Sequence, residues 1–473
     1  MAENGFEPNF PQDALAELAS IEGQPRTNVL EPGITDLREL LWSSIDNASS
    51  RDLDQIEYAE QLPNGDIKIL VGIADVDHLV AKDSALDQHA AKNTVTIYTE
   101  TEMFPMLPEE LSTDLTSLNE GEDRLAVIVE LVIKENGDVP GNEVFRGLVR
   151  NKAKLAYEST GAWLDNGGPI PEKVASTLGL KEQIELQRTA AERLHKFRLE
   201  KGALEFESIE SSAVMENGEV RGIVSVKENS ARKLIENFMV AANVEMAEFL
   251  EGHGRVSLRR VVKTPEHWEG IREIAEKRGV TLPDAPDARA LAEFLIEQRV
   301  QDELHFPDLS LAIIKLIGSG EYVVQRPGEQ GDGHFGLGVR DYAHSTAPNR
   351  RYPDIVVQRM VKAAIDSRPQ PYTELELNAI ADHCNKQESA ARKVERKMRK
   401  IVAATVMKRH VGESFDAIVT GVTDRGTFAR ILRPPVDGRI VRGERGLKIG
   451  QKIDVRLLSA DTRNGFIDFA AHR

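Results

Sequence analysis

Between about residues 41 and 150 apolar and polar positions alternate, most clearly in the runs DIKILVGIADV and RLAVIVELVIKE. NG and GD turn signals separate the runs, and a period of two predicts strands of one sheet. From about 151 to 320 the period lengthens. LKEQIELQRTAAERLHKFRLEK and ARKLIENFMVAANVEMAEFLEG carry apolar residues three and four apart, which predicts long helices packed on that sheet. The Gly-rich turn RPGEQGDGHFGLG then leads to YAHSTAPNRRYPDIVVQRMVKAAI, a loop entering a helix whose apolar face is Ile355, Val356, Met360 and Ala363. Ahead of the sheet, residues 1–40 hold one short helical pattern, PQDALAELASI, and look like an arm or small module. The last 60 residues read as four or five short strands, with Gly421, Gly426, Gly438 and Gly450 where a small closed barrel would bend. The pattern predicts an α+β protein: a sheet packed by long helices over 41–405, then a β-barrel over 410–473.

Length and composition agree with this division. A chain of 473 residues exceeds what one core usually supports, and 41% hydrophobic with 29% charged residues is the balance of a folded protein. No run of 18 apolar residues occurs, and MAENGFEPNF lacks an apolar signal region, so neither a membrane span nor secretion is expected and a cytoplasmic location follows. The single cysteine, Cys384, excludes an intramolecular disulfide and a CxxC zinc site, leaving oxygen to hold any metal. A net charge of −17 argues against an evenly basic surface, yet residues 385–410 carry nine Lys or Arg against two Glu, and 411–473 eleven against eight acids. Such asymmetry suits a groove that tracks a polyanion, or else a solvated helix face.

The stretch SIDNASSRDLDQIEY, residues 44–58, concentrates carboxylates. In an extended segment Asp52 and Asp54 point to the same side, and Asp46 can fold back across the Ser-rich turn. Crowded carboxylates repel unless a cation lies between them, so a hard divalent metal, Mg²⁺ first, explains the cluster; a solvated surface turn is the other explanation of a DxD pair.

From about Ser44 to about Arg399 the chain resembles the catalytic (RNB) domain of the RNase II and RNase R exoribonucleases. The resemblance is carried by SIDNASSRDLDQ, by VGIADVDHLV with SALDQHAAKNTVTIY, by MFPMLPEELSTDLTSLNEGEDRLAV, by LIENFMVAANVEMAEFL and by HFGLGVRDYAHSTAPNRRYPDIVVQRMV. Through VTGVTDRGTF and GQKIDVR the last 60 residues resemble the S1 domain, an OB-fold that binds single-stranded RNA. Phe415 and Phe428 are the aromatics that would stack on bases there or fill the barrel, with Arg425, Arg430 and Arg439 nearby for phosphate. The two cold-shock domains common in the family have no room before Ser44, so RNA capture is expected to differ.

The resemblance implies processive 3′ to 5′ hydrolysis of single-stranded RNA to nucleoside 5′-monophosphates, dependent on Mg²⁺ with Mn²⁺ as a substitute. Neither a membrane, DNA nor an oligomeric partner is expected. Asp46, Asp52 and Asp54 match the family's metal-binding aspartates. Tyr98 matches the aromatic that stacks on the 3′-terminal nucleotide, and Arg350 the arginine that holds the phosphate. Glu395 matches a glutamate that positions the terminal nucleotide, and Phe206 is a candidate second stacking face. The chemistry agrees: two metals about 3.5–4 Å apart stabilise attacking and leaving oxygens, a guanidinium forks two phosphate oxygens, and stacking tolerates any base at about 1–3 kcal/mol each. Arg351 could share the work of Arg350. The chain departs from the family at Gln55, where a second adjacent aspartate is usual; its carbonyl can still reach a metal, with one less negative charge. It departs again at Thr346-Ala347-Pro348-Asn349-Arg350, where Thr-Ser-Pro-Ile-Arg is usual. Two other functions stay open, an RNA-binding relative that has lost catalysis and a 3′-end trimming nuclease for structured RNA.

Overall fold

The alternating region builds five strands of a seven-stranded mixed sheet, whose other two come from just before and just after it. Its strands come from the nine-strand series β1 (Ile34–Asp36), β2 (Ser43–Asp46), β3 (Gln55–Gln61), β4 (Ile67–Ala74), β5 (Ile97–Tyr98), β6 (Met103–Phe104), β7 (Asp123–Ile133), β8 (Asn142–Arg150) and β9 (Ala153–Ala156). The sheet order is β1-β8-β7-β4-β3-β2-β9, while β5 and β6 form a separate hairpin. The computed structural model describes residues 1–23, 30, 32–99, 102–207, 210–216, 219–226, 228–423 and 426–472. Strands β3, β4, β7 and β8 run antiparallel in sequence, and β9 pairs parallel with β2. Alternation fades in β4, where Ile67, Ile69, Leu70, Val71 and Ile73 are all buried, because helices cover the sheet.

The helical periods become Leu180–Glu200, Ser230–Gly252 and Tyr352–Ile365. The second starts where the Asn229 side chain accepts the Arg232 N–H at 3.0 Å, and it buries Leu234, Ile235, Phe238, Ala242 and Met246. The basic run of 385–410 lies mostly on a 34-residue helix, Glu374–Met407, opened by a capping box between Thr373 and Glu376. Its last turns place Ala404 and Met407 in the core of the barrel, so the helix is shared between catalytic body and barrel. Among the described residues no helix is long and apolar enough to cross a membrane.

The barrel closes from five strands, Ser414–Thr423, Gly426–Ile431, Val436–Arg442, Lys452–Asp461 and Phe466–His472. Gly426 and Gly450 have positive φ at its turns, as expected, but Gly438 is not at a bend. It sits within a strand because the Phe469 ring crosses it: a Cβ there would lie 2.3 Å from that ring. Absent from the sequence-based expectation are the paired strands Glu210–Glu216 and Glu219–Val226, and a satellite core of Trp268, Phe294 and Phe306 from three helices. That satellite touches the barrel through Asp308 and Arg430, paired at 2.9 Å. The chain's first residues are anchored too: Phe6, 2% exposed, packs with Ile97 and Ala391 behind Tyr98.

Candidate active site

The aspartates lie where β2 ends and β3 begins, in a loop held by the 117–118 segment. Leu53 N–H donates to Ser117 Oγ at 2.9 Å, that hydroxyl donates to Arg51 O at 2.8 Å, and Leu118 N–H donates to Leu53 O at 3.0 Å. Lys154 Nζ donates to Ser50 O, and Ala74 N–H to Asp54 O at 2.9 Å. With its main chain so tied, the loop presents three carboxylates in different states. Asp46 Oδ1 accepts the Asn47 N–H at 2.6 Å and the Ser50 hydroxyl at 2.9 Å. Asp52 Oδ2 accepts the Tyr98 hydroxyl at 2.7 Å. Asp54, 2% exposed, accepts the Asn349 N–H at 2.9 Å and stands 3.5 Å from Arg350 Nε.

Residues some 300 positions away meet this loop because β5 and the 346–351 turn run side by side. Thr96 N–H donates to Arg350 O at 2.9 Å and Tyr352 N–H to Thr94 O at 2.8 Å. Tyr98 is therefore delivered, 43% exposed, beside Arg350, whose side chain is 47% exposed. Glu395, on the long basic helix, stands near the Tyr98 main chain, whose N–H favours its ionised form while burial pushes the carboxyl up. The structure thus brings together Asp46, Asp52, Asp54, Tyr98, Arg350 and Glu395, with Gln55 buried as the first residue of β3. Asn349 was not anticipated as a partner of Asp54. Its main-chain N–H does that work while its side chain accepts the Thr116 hydroxyl at 2.6 Å, and main-chain donors leave no signature in residue type.

Burial pushes the Asp54 carboxyl up to about 7 against the attraction of Arg350, and the neighbouring Asp52 adds repulsion. Asp46 is raised as well, first by burial, with Asp52 again contributing. Among the described residues no three His, Cys, Asp or Glu side chains stand together as a finished cation cage; each aspartate instead gives an oxygen to a protein donor. A carboxylate has lone pairs to spare, though, and crowded, partly desolvated oxygen donors suit a hard divalent cation.

Other expected site residues face elsewhere. Arg351 turns inward, its guanidinium 2.7 Å from the fully buried Asp354, so it is a support for the Arg350 turn and not a second phosphate fork. Phe206 packs on the satellite core with Leu204 and Phe335. Phe415 is half-buried against the barrel core, near the His410 ring. Arg430 is occupied by Asp308. Phe428 is half-buried and lies across from the exposed Arg439 on the next strand. Arg425 lies outside the described residues.

Sheet, aspartate loop, long helix and terminal barrel together are the architecture of a known class of RNA-degrading enzymes. Residues 34–367 match the RNB domain and residues 413–472 the RNase II-type exonuclease C-terminal S1 domain, so the chain belongs to the RNB family of exoribonucleases. Ribonuclease R of Thermotoga maritima is 30% identical over 491 residues, spanning 97% of this chain and 68% of that protein. The structure is similar to that of Mycoplasma genitalium RNase R in complex with ribose methylated single-stranded RNA, with a TM-score of 0.87 at 23% identity, covering 99% of this chain and 76% of that one. It is also similar to yeast Ssd1, a pseudonuclease, with a TM-score of 0.68 at 16% identity over 92% of this chain and 52% of that one. The fold is thus shared by a ribonuclease and a pseudonuclease, and the site residues must decide activity. Nucleases of this family depend on a metal.

Proposed function

We propose that this protein is a processive 3′ to 5′ exoribonuclease that hydrolyses single-stranded RNA to nucleoside 5′-monophosphates, in the cytoplasm, with Mg²⁺ held by Asp46, Asp52, Asp54 and the Gln55 carbonyl, and Mn²⁺ as a substitute. The observation that supports it best is the meeting of Asp54, Arg350 and Tyr98 from three distant segments. When bound, the cations supply Lewis-acid stabilisation of the attacking and leaving oxygens. Arg350 forks the phosphate that Asp54 alone would repel. Tyr98 stacks on the terminal base, with Glu395 near its main chain. The cations of the long helix from Arg392 to Lys400 are exposed and guide the strand inward, and the barrel, through Phe428 and Arg439, holds it upstream. A catalytic domain and the barrel over 410–473 are the units of this reading; the expected boundary of an arm at 40 moves back, because Ile34–Asp36 is a strand of the catalytic sheet.

One observation favours a second reading, an RNA binder without catalysis: Gln55 removes a charge from the cradle. Incubation of poly(A), and of a hairpin with a 3′ overhang, with and without Mg²⁺ separates them. Mg²⁺-dependent release of mononucleotides is expected. Retention of intact poly(A) supports the binder, and a stop near the stem without poly(A) degradation supports a trimming nuclease.

A further inference from the structure

The charge absent at Gln55 has a counterpart two residues on. Along β3, Ile56 and Tyr58 face Trp42: the Ile56 and Trp42 side chains both crowd Gly72, and the Tyr58 and Trp42 rings lie 6.1 Å apart. Strand alternation therefore puts Gln55 and Glu57 together on the opposite face. Glu57 is 0% exposed, and neither of its carboxyl oxygens has a hydrogen-bond partner. A buried carboxyl without a donor is costly, and native proteins rarely leave one unsatisfied. The charged neighbour that acts on it is another acid, Asp46. Tyr157 lies within the fields of both.

The surroundings of Glu57 are oxygen-rich. Ser43, its direct cross-strand partner, has a buried hydroxyl without a partner, and cross-strand partners share a face. Gln187 donates to the Glu57 main-chain oxygen at 3.4 Å, and its own Oε1 is buried and unpartnered. Orphaned hard oxygens around Glu57, with Asp46 near enough for its charge to act on that carboxyl, are an environment a divalent cation selects.

We propose that Glu57 restores the negative charge missing at Gln55 and serves with Asp46 as a carboxylate ligand of the divalent cation, so that the family's adjacent-aspartate pair is replaced here by a Gln-x-Glu pair on one strand face. The proposal rests on the metal-dependent reading above and shifts the cation's anchorage one pleat along β3.

The test is direct binding of Mn²⁺ to the metal-free full chain, followed by electron paramagnetic resonance, without RNA. Wild type is expected to bind Mn²⁺, Glu57→Gln to bind it at least tenfold more weakly, and the exchange variant Gln55→Asp/Glu57→Gln to recover most of that loss. Unchanged Mn²⁺ affinity in a folded Glu57→Gln protein overturns the role of Glu57 alone. Absence of Mn²⁺ binding by wild type overturns the metal reading as well. The single variant Gln55→Asp gives a second measurement that does not depend on Glu57→Gln folding. With Glu57 as ligand it improves Mn²⁺ affinity less than threefold, whereas a gain of tenfold or more shows that the position-55 charge was never replaced and overturns the proposal.

Discussion

The aspartate loop and the terminal barrel both face RNA in this reading, and they are built on opposite plans. Asp54 is held from several sides: the Asn349 N–H, Arg350 and the tied main chain of Leu53 fix it, and it is 2% exposed. On the barrel the relevant groups are half-exposed Phe428 and exposed Arg439, side by side on neighbouring strands. Bond cleavage depends on sub-ångström placement in a desolvated site, whereas gripping a strand of any sequence requires only a cationic, aromatic surface. One substitution should therefore stop the first region and only weaken the second.

The widest separation is expected from Arg350→Lys. A point charge replaces the planar fork, so two phosphate oxygens are no longer held in register and Asp54 loses its guanidinium neighbour. Turnover should fall by about 10²-fold, while RNA affinity, supplied largely by the helix and barrel, changes by less than about threefold. Single-turnover degradation of poly(A) together with an equilibrium binding measurement reads both numbers. Equal losses in the two would erase the distinction between the regions.

How much of each region was legible beforehand follows from the same difference. The runs that became β4, β7 and the long helices were readable because period reports burial, and Asp46, Asp52 and Asp54 because clustered carboxylates demand a reason. Arg351 is not separable from Arg350 in the sequence for the opposite cause: the residue type is the same, and only the turn decides that one guanidinium faces Asp54 and the other Asp354. Phe415 and Phe428 likewise share a type and a barrel, but strand register sends Phe415 toward the core. Asn349 acts through its main chain, and Glu57 acquires meaning only once Ile56 is known to face Trp42.

That divergence of the two phenylalanines sets the next, smaller effect. Phe428→Ala should weaken poly(A) binding by roughly tenfold through lost stacking, with the melting temperature unchanged. Phe415→Ala should lower the melting temperature with binding preserved in the folded fraction. Fluorescence anisotropy with thermal denaturation distinguishes them, and a reversed pattern would assign the RNA-facing side of the barrel to Phe415.

The smallest expected effect concerns what lies behind Arg350. His334 stacks edge-on against Tyr342, which in turn meets His344, and His344 accepts or donates to the Tyr322 hydroxyl at 2.8 Å. Burial, reinforced by the positive field of Arg260, pulls His334 down to about 4, and burial with the Arg351 charge pulls His344 well below its ordinary value. Both are neutral in the folded protein at pH values where the unfolded chain already binds a proton. The unfolded state then holds more protons, so stability falls as pH drops through the unfolded value of about 6.5, and the fall continues until the folded value is reached. Each histidine should cost about 1 kcal/mol between pH 6.5 and 5.5. His334→Asn should flatten the dependence by that amount in urea titrations at the two pH values. An unaltered slope would mean that His334 takes up its proton without disturbing the support beneath Arg350.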